Sequence, residues 1–253
     1  MKKIDANDEY AKGMSQYNRH AYEITSKYDY YQYRLFEKYL GNKICEIGSG
    51  SGRIANVIIK DRPSIREYTM IEPSPYFFSE LNQRFLNMDH LVFKNGELKE
   101  FKSNYIDYFD SVFSVHVMEH IEDDKAFMAD CFSITKKGGV IITLLPALQF
   151  LYSKLDKNIG HHRRYNKKML RDLIADLDCE ITSLTYHNII GILPWLYFFK
   201  LRKIDYQTNE SNKNKFYTLS RIFSDYFSNI VEKMENIIHP PIGLNILLVL
   251  KKR

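Results

Sequence analysis

Three alternating glycines, closely preceded by a glutamate, form the part of this sequence best suited to hold a ligand. Gly48, Gly50 and Gly52 separate a short apolar run from a helical pattern, in the segment KICEIGSGSGRIA that begins at Lys43. Glycine permits positive φ and lets a ligand lie directly against the backbone. The first N–H groups of the following helix point back at this turn. Such a loop could cradle a phosphate, a pyrophosphate or the amino-acid end of a nucleoside cofactor.

Glu46, two residues before the first glycine, favours the last of these ligands. Its carboxylate would repel a phosphate, but it could accept a hydrogen bond from a cofactor that carries an amino group and a sulfonium. We therefore favour S-adenosylmethionine over a dinucleotide. The glycines alone leave alternatives open, because residues 50–55 also satisfy the dinucleotide-binding pattern with alanine in third place. A glycine turn that binds no ligand has the same local signature.

A second acid stands at the end of the next apolar run. Residues 68–72 predict a strand, and Glu72 ends it, about 20 residues beyond the last glycine, where folds of this kind hold a ribose by its hydroxyls. We therefore predict that Glu72 binds the ribose. Pro73 follows directly and helps to turn the chain into the next helix.

These segments resemble the class I, Rossmann-like S-adenosylmethionine-dependent methyltransferases. The order Glu-x-Gly-x-Gly-x-Gly after a strand resembles motif I of that family. The run FDSVFSVHVMEHI at 109–121 is similar to motif IV, where small-molecule members often carry Glu-His-Ile or Glu-His-Val. The run KKGG at 136–139 is similar to the family's Lys-Pro-Gly-Gly step, with lysine in place of proline. The resemblance covers about residues 43–187 and returns in the last strand.

The resemblance implies S-adenosylmethionine as cofactor and S-adenosylhomocysteine as product. It also implies that the turn at 94–98 places a polar side chain and backbone groups against the adenine ring. Family members more often have aspartate beside that turn, so Glu97 is a looser match. The predicted cofactor contacts are Glu46, Gly48, Ser49, Gly50, Gly52, Glu72, Pro73, Gly96, Glu97, Leu98, Ser114, Val115 and His116.

A loop rich in cationic and aromatic side chains, DKNIGHHRRY at 156–165, is predicted to bind the methyl acceptor. It resembles a loop in a subgroup of these enzymes that often acts on sugar-linked and other small metabolites. We expect His161 as general base, because an unperturbed histidine pKa of ~6.5 leaves it able to take a proton near neutral pH. Arg164 and Tyr165 complete the predicted catalytic group, and the predicted acceptor-binding residues are His120, His162, Arg163, Tyr17 and His20.

Other interpretations of these polar residues remain open. The loop could be a solvated basic surface, and His116, His120 or His162 could replace His161 as base. His116, Glu119 and His120 also have the side-chain types of a metal site. We nevertheless expect no metal, because no second ligand cluster lies nearby in the sequence and such sites need more partners.

The alternation of apolar runs and helical patterns predicts a single α/β domain over 1–253. We expect a doubly wound, seven-stranded, mostly parallel sheet with an antiparallel last strand. The predicted divisions are an N-terminal lid segment at 1–40, a cofactor-binding core at 41–187, a helical insert at 189–239 that covers the active site, and the last strand at 244–252. The N-terminal segment could instead be a helix that only packs, and the insert could touch a membrane surface.

Local patterns also place the individual elements. After the glycine loop, the predicted strands are 68–72, 90–93, 108–115, 136–146, 180–186 and 244–250. A helix opened by Asp123 and Asp124 is predicted to close at Gly138 and Gly139.

Composition and charge indicate which partners and which cellular compartment to expect. The formal net charge of +5 is mild and the basic residues are spread along the chain, so nucleic acid is not indicated. Three separated cysteines in apolar runs predict reduced thiols and a cytoplasmic location. No signal-peptide run or apolar span of ~20 residues is evident, so we expect no stable membrane insertion. The oligomeric state is left open.

The reaction that these features favour is methyl transfer from S-adenosylmethionine to an oxygen, less readily a nitrogen, of a small acidic or sugar-linked metabolite such as a surface-glycan precursor. A carbon acceptor is not excluded. One alternative is an NAD(P)-dependent oxidoreductase, and another is a non-catalytic partner protein that binds S-adenosylmethionine.

Overall fold

The structure, a computed structural model, describes residues 8, 27–86, 88–202, 231–235 and 237–253. Its centre is a sheet of seven strands: β1 Lys43–Ile47, β2 Glu67–Glu72, β3 Leu91–Asn95, β4 Phe109–Val115, β5 Thr135–Pro146, β6 Cys179–His187 and β7 Asn245–Lys252. Their spatial order is β3-β2-β1-β4-β5-β7-β6. The first five strands pair in parallel, and β7 is antiparallel to both β5 and β6. This confirms the predicted doubly wound sheet.

Helices cover both faces of the sheet. They are α1 Lys27–Arg34, α2 Arg53–Asp61, α3 Pro75–Arg84, α4 Leu98–Phe101, α5 Asp124–Ile134, α6 Lys154–Asn158, α7 Lys167–Leu173 and α8 Ile192–Trp195, with a π-helical turn at Leu196–Leu201. Because successive strand residues point to opposite faces, each central strand contributes to two cores. Ile44 of β1 packs in the core with α2 and α3, whereas the adjacent Cys45 packs in the core with α5 and α7.

The strand positions agree with the predicted ones to within a few residues, but the predicted end of one helix is wrong. α5 ends at Ile134, and the next residue, Thr135, pairs with Phe109 on β4 and begins β5. Gly138 and Gly139 therefore lie inside the strand, next to a shift in the β4–β5 register. The glycine pair therefore does not end the helix. It marks an irregularity in strand β5.

The N-terminal segment is described only in part, and Tyr17 and His20 lie outside the described residues. Within that part, α1 packs rather than standing free of the core. The hydroxyl of Tyr31 donates a 2.7 Å hydrogen bond to Glu235, and Tyr33 donates to Asp61 at the end of α2. Gln32, on the same helix, reaches the cavity described below. The assignment of 1–40 as a lid stays a prediction.

The described start of the 189–239 segment is helical and packs against the loop that follows β5. Ile192 is buried, and the indole N–H of Trp195 donates a 3.0 Å hydrogen bond to the carbonyl of Leu151. The same indole ring lies 4.3 Å from the guanidinium carbon of Arg164. Among the described residues, no helix is long and apolar enough to cross a membrane.

Substitution of Gly52 tests how tightly the glycine loop packs against α3 and the residue after it. Gly52 caps α2 with a φ of +77°, and an added Cβ would lie 2.5 Å from the ring of Phe85 and 2.7 Å from Leu81. We expect Gly52→Ala to lower the free energy of unfolding by roughly 2–5 kcal/mol, the sum of a left-handed backbone and an overpacked contact. Urea denaturation monitored by circular dichroism measures this loss.

Gly138→Ala is the matched control. Its φ of +76° is nearly the same, but no heavy atom lies within 4 Å of the added Cβ. It should therefore show only the backbone cost, about 1–2 kcal/mol. Equal losses in the two variants would contradict the packing role of Gly52.

Candidate active site

A cavity of about 840 Å³ opens where β1, β2, β3 and β4 end. Its size lies in the range of about 300–1,000 Å³ that small-molecule sites occupy, and the carboxyl edge of an open parallel sheet is where such folds bind ligands. Eleven of the residues predicted to contact the cofactor line it: Glu46, Gly48, Ser49, Gly50, Glu72, Pro73, Gly96, Glu97, Leu98, Val115 and His116.

The glycine loop forms one wall of the cavity, and each glycine has a different reason to be there. Gly48 has a φ of +72°, and a Cβ at this position would come within 2.4 Å of Val117. Gly48 therefore allows β1 and the segment after β4 to approach closely. Gly50 has a φ of +56° and open space where its Cβ would be, so the loop leaves room for a ligand against its backbone. Gly52 packs on Leu81 and Phe85 instead and is outside the lining.

Glu72 joins this loop to the end of β2. One carboxylate oxygen accepts a 2.6 Å hydrogen bond from the N–H of Gly50, and the other accepts one of 2.9 Å from Ser74. Each oxygen keeps a second lone pair, which could accept from a ribose hydroxyl. Burial raises the pKa of Glu72 to about 7, and the two backbone donors partly oppose this shift.

Glu46 is a second buried acid on the cavity wall. Its carboxylate accepts a 2.7 Å hydrogen bond from the hydroxyl of Tyr68. Glu46 is only 2% exposed. Burial raises the pKa of Glu46 to about 8, although the bonds from Tyr68 and Ser49 act in the opposite direction. The free site therefore keeps this acid mostly protonated at neutral pH, and a nearby ammonium group would favour its ionised form.

The turn after β3 also lines the cavity. Gly96 has a φ of +146°, and the backbone N–H of Glu97 donates a 2.6 Å hydrogen bond to Glu100 at the start of α4. The carboxylate of Glu97 pairs with Lys99 at 2.7 Å, and the side chain of Leu98 is buried. This turn thus presents backbone and an apolar side chain to the cavity, a surface suited to a flat ring.

Ser114 was predicted to contact the cofactor, and the structure places it beside the cavity without lining it. It pairs with Ile47 in the sheet, and it is buried. Its hydroxyl has no hydrogen-bond partner among the described residues.

Three imidazoles form the part of the wall built by the segments after β4 and β5. His116, His120 and His162 all line the cavity. The Nε2 atom of His116 lies 2.8 Å from the amide nitrogen of Gln32, and its backbone takes a positive φ of 55°. Such a backbone is costly for a residue with a side chain, and it is found preferentially at functional sites. Burial lowers the pKa of His120.

His161 lies behind this wall, away from the predicted position. It does not line the cavity, and its Nδ1 atom lies 3.0 Å from a carboxylate oxygen of Asp156. Its ring stands edge-on to His120, with 4.6 Å between ring centroids. The structure therefore gives no cavity contact to support His161 as the general base.

Arg164 and Tyr165 are also placed in the interior rather than at the acceptor side. Arg164 is 1% exposed and donates to Asp156 from Nε at 2.9 Å, with a further hydrogen bond to the carbonyl of Ala147. Tyr165 is equally buried, and its hydroxyl donates a 2.9 Å hydrogen bond to Asp124. These two side chains hold the loop to the core, because a buried guanidinium or phenol needs partners there.

Arg163 points away from the cavity as well. Its guanidinium donates 2.6 Å and 2.7 Å hydrogen bonds to the carboxylate of Asp124 and the carbonyl of Glu122. The prediction that Arg163 binds the acceptor therefore has no contact with the cavity to support it. Two further residues contribute that no sequence motif marks: Asp156 accepts hydrogen bonds from Ser153, His161 and Arg164, and Gln32 lines the cavity.

Residues 45–143 match the family model of the methyltransferase domain. The chain carries a class I methyltransferase domain. The methyl donor of this class is S-adenosylmethionine, which confirms the predicted cofactor and decides against the NAD(P)-dependent alternative. No curated protein matches the methyltransferase in sequence.

Solved structures share the fold of this methyltransferase at low sequence identity. A chain of the complex between the Haloferax volcanii Trm112 methyltransferase activator and a methyltransferase is 13% identical over 99% of both chains, with a TM-score of 0.63. A methyltransferase from Archaeoglobus fulgidus is 15% identical over 90% of this chain and 95% of its own, with a TM-score of 0.56. Phosphoethanolamine N-methyltransferase 2 of Haemonchus contortus, in complex with S-adenosylmethionine, is 12% identical over 98% of this chain and 60% of its own, with a TM-score of 0.62.

The raised pKa of Glu46 predicts that ligand binding releases a proton. We expect S-adenosylhomocysteine to release about 0.5–0.8 proton on binding at pH 7.5, because its ammonium group would lower a carboxyl pKa that starts near 8. Titration calorimetry in buffers of different ionisation enthalpy measures this release.

Glu46→Gln should abolish the release and weaken binding. Glu72→Gln is the control, since its expected partner is a neutral ribose, so most of the release should persist. An undiminished release in Glu46→Gln would contradict the assignment of Glu46 to the amino group.

Substitution of Arg163 and of Arg164 tests which side chain holds the 156–165 loop to the core. Arg164→Met leaves the buried Asp156 without its arginine, and we expect a loss of about 3–5 kcal/mol in the free energy of unfolding. Arg163→Met removes a partly exposed ion pair and should cost about 1 kcal/mol or less. Similar losses, measured by urea denaturation, would show that the Arg164–Asp156 pair does not hold the loop.

Proposed function

We propose that this methyltransferase transfers a methyl group to a hydroxyl oxygen of a small, sugar-linked metabolite, such as a surface-glycan precursor. The observation that carries the proposal is the imidazole wall formed by His116, His120 and His162. Imidazole can donate a hydrogen bond from one nitrogen and accept one at the other, which suits the hydroxyl groups of a sugar. The wall adjoins the glycine loop, so an acceptor there would lie beside the cofactor.

Most of the residues predicted to contact the cofactor line the same cavity as these histidines. When bound, S-adenosylmethionine would supply an electrophilic methyl group on its sulfonium. Glu46 would hold the amino group, Glu72 the ribose hydroxyls, and the turn at Gly96 to Leu98 the adenine ring. These residues orient the donor, and the histidines orient the acceptor. Alignment of two reactants accounts for a large part of the acceleration that such a reaction needs.

The contacts of the cationic side chains favour a neutral acceptor over an acidic one. Arg163 and Arg164 are held by Asp124 and Asp156, away from the cavity. The two cations that do line it, Arg53 and Lys99, each pair with a carboxylate, at 2.8 Å and 2.7 Å. An acidic acceptor would therefore have to displace an existing ion pair, whereas a hydroxyl would not.

A nitrogen acceptor is the second candidate. Glu122 and Asp123 line the cavity next to His120 and could attract a protonated amine. The similar Haemonchus contortus protein acts as a phosphoethanolamine N-methyltransferase. We rank this candidate lower because an amine must lose its proton before it accepts a methyl group, and an acidic wall opposes that loss.

The proposal includes a cover over the site. Gln32 of α1 lines the cavity, and the helix that bears it packs against Glu235, near the end of the 189–239 segment. We propose that the segments 1–40 and 189–239 together shield the reactants from water. Exclusion of water strengthens the electrostatic interactions within a site.

A screen with isotopically labelled S-adenosylmethionine tests the proposed function. The panel contains neutral glycosides and other polyols, with nucleotide-linked sugars, carboxylated sugars and small amines as separate groups. We expect label in the first group, in a product that resists acid and base as a methyl ether does. Transfer to amines alone would favour the nitrogen acceptor, and bound cofactor without transfer to any group would favour the non-catalytic partner.

With the acceptor identified, His162→Ala should raise KM by roughly 2–10-fold, the loss of one neutral hydrogen bond. The affinity for S-adenosylhomocysteine should not change. His90→Ala, which removes an imidazole outside the cavity lining, is the control and should leave KM unaltered. An unchanged KM in His162→Ala would remove that residue from the acceptor site.

A further inference from the structure

Glu119 is a fully buried acid whose side chain makes no hydrogen bond with the described residues. It lies in the turn after β4, its exposure is 0%, and neither carboxylate oxygen has a described hydrogen-bond donor. A buried carboxylate without a partner is strongly disfavoured. Either a proton on the carboxyl group or a positively charged neighbour must therefore neutralise it.

His161 is oriented so that its second nitrogen faces this carboxylate. Because Nδ1 lies 3.0 Å from a carboxylate oxygen of Asp156, that nitrogen is the donor, and in the neutral ring Nε2 keeps its lone pair. Nε2 lies 3.7 Å from Oε1 of Glu119. Two lone pairs at this separation require a proton or a cation between them. Two ligands of one zinc ion stand about 3.4 Å apart when bond lengths and angles are tetrahedral.

His120 brings a third ligand atom to the same place. One ligand atom each from Glu119, His120 and His161 lies within 4.8 Å of the other two. Shifts on the order of 1 Å in these side chains would close the group to metal-ligand distances. One of the rings also has an outer partner, since Asp156 accepts a hydrogen bond from His161. Metal-binding histidines nearly always have such partners, which fix the ring orientation.

We propose that Glu119, His120 and His161 bind a divalent transition-metal ion in the wall of the cavity. Two imidazoles and one carboxylate suit Zn²⁺ or Fe²⁺ and do not suit Mg²⁺, which prefers oxygen ligands alone. Because His120 lines the cavity, a coordination position that the protein leaves open would be available to an oxygen of a ligand. The expectation that no metal binds rested on the absence of a nearby second cluster, and folding supplies the missing ligand from the loop after β5.

The proposal stands apart from the identity of the acceptor, since metal binding is measured without one. The competing explanation is that protonated imidazoles neutralise Glu119. His116 is part of that explanation, because its Nδ1 atom lies 3.4 Å from the same oxygen. If these side chains bind a metal ion, one Zn²⁺ should bind per chain. If protonated imidazoles neutralise Glu119 instead, Zn²⁺ should find no site, so one titration separates the two explanations.

The experiment uses the full chain after treatment with a chelator and gel filtration. Calorimetric titration with Zn²⁺ should show one site per chain, and titration with Mg²⁺ at the same concentrations should show none. Co²⁺ should give visible d–d absorption, which Zn²⁺ then displaces. No Zn²⁺ site and no Co²⁺ absorption in the wild-type protein would overturn the proposal without reference to any variant.

Variants locate the ion. Glu119→Gln and His161→Ala should each weaken Zn²⁺ binding by at least about 100-fold, and Asp156→Asn, in the outer shell, by roughly 10–100-fold. His162→Ala is the matched control, because it removes the adjacent exposed imidazole and should leave the affinity unchanged. Binding of S-adenosylhomocysteine to each variant checks that it is folded. Wild-type Zn²⁺ affinity in both folded ligand variants, or a loss only in His162→Ala, would assign the ion elsewhere and overturn the proposal.

Discussion

The parallel alignment of β1, β2, β3 and β4 is the constraint on which the site depends. Since these strands run in the same direction, the chain leaves all of them at one edge, and residues distant in sequence meet there. β1 and β4 are neighbours, and their close approach beyond the sheet is possible because Gly48 has no Cβ to meet Val117. The cavity therefore exists because of strand order, and the side chains on its wall follow from which residue ends each strand.

The buried acids of this protein differ in whether their partners are neutral or charged. Glu46 and Glu72 are held by neutral donors, a phenol in one case and two backbone N–H groups in the other, so burial raises the pKa of each. Asp156 is held by a guanidinium and an imidazole, which keep its pKa below the ordinary value although burial opposes them. The first pair remains responsive to a charged ligand. The third acid already has its charge partners and serves to shape the loop.

Most of the residues that the sequence marked for the cofactor line one cavity, because the patterns that mark them are local. A strand, a glycine turn and a helix are adjacent in the chain, so Gly48, Gly50 and Glu46 share one short segment. The histidine wall of the cavity is assembled differently. His162 reaches the cavity wall with its backbone N–H bonded to the carbonyl of Glu119, and Gln32 comes from a helix before the first strand. Contacts between such distant segments leave no periodicity or spacing in the sequence.

The sequence by itself determined the class of fold, the order of strands and helices, and the acids beside the glycine loop, because apolar periodicity and turn chemistry act over a few residues. Only the tertiary structure decided what the loop residues 156–165 do. Their composition indicates a cationic surface, yet Arg164 and Tyr165 are buried, and His161 faces Glu119 rather than the cavity. Which side of the loop enters the core depends on distant partners such as Asp124 and Trp195, whose charge and shape act through space and not along the chain.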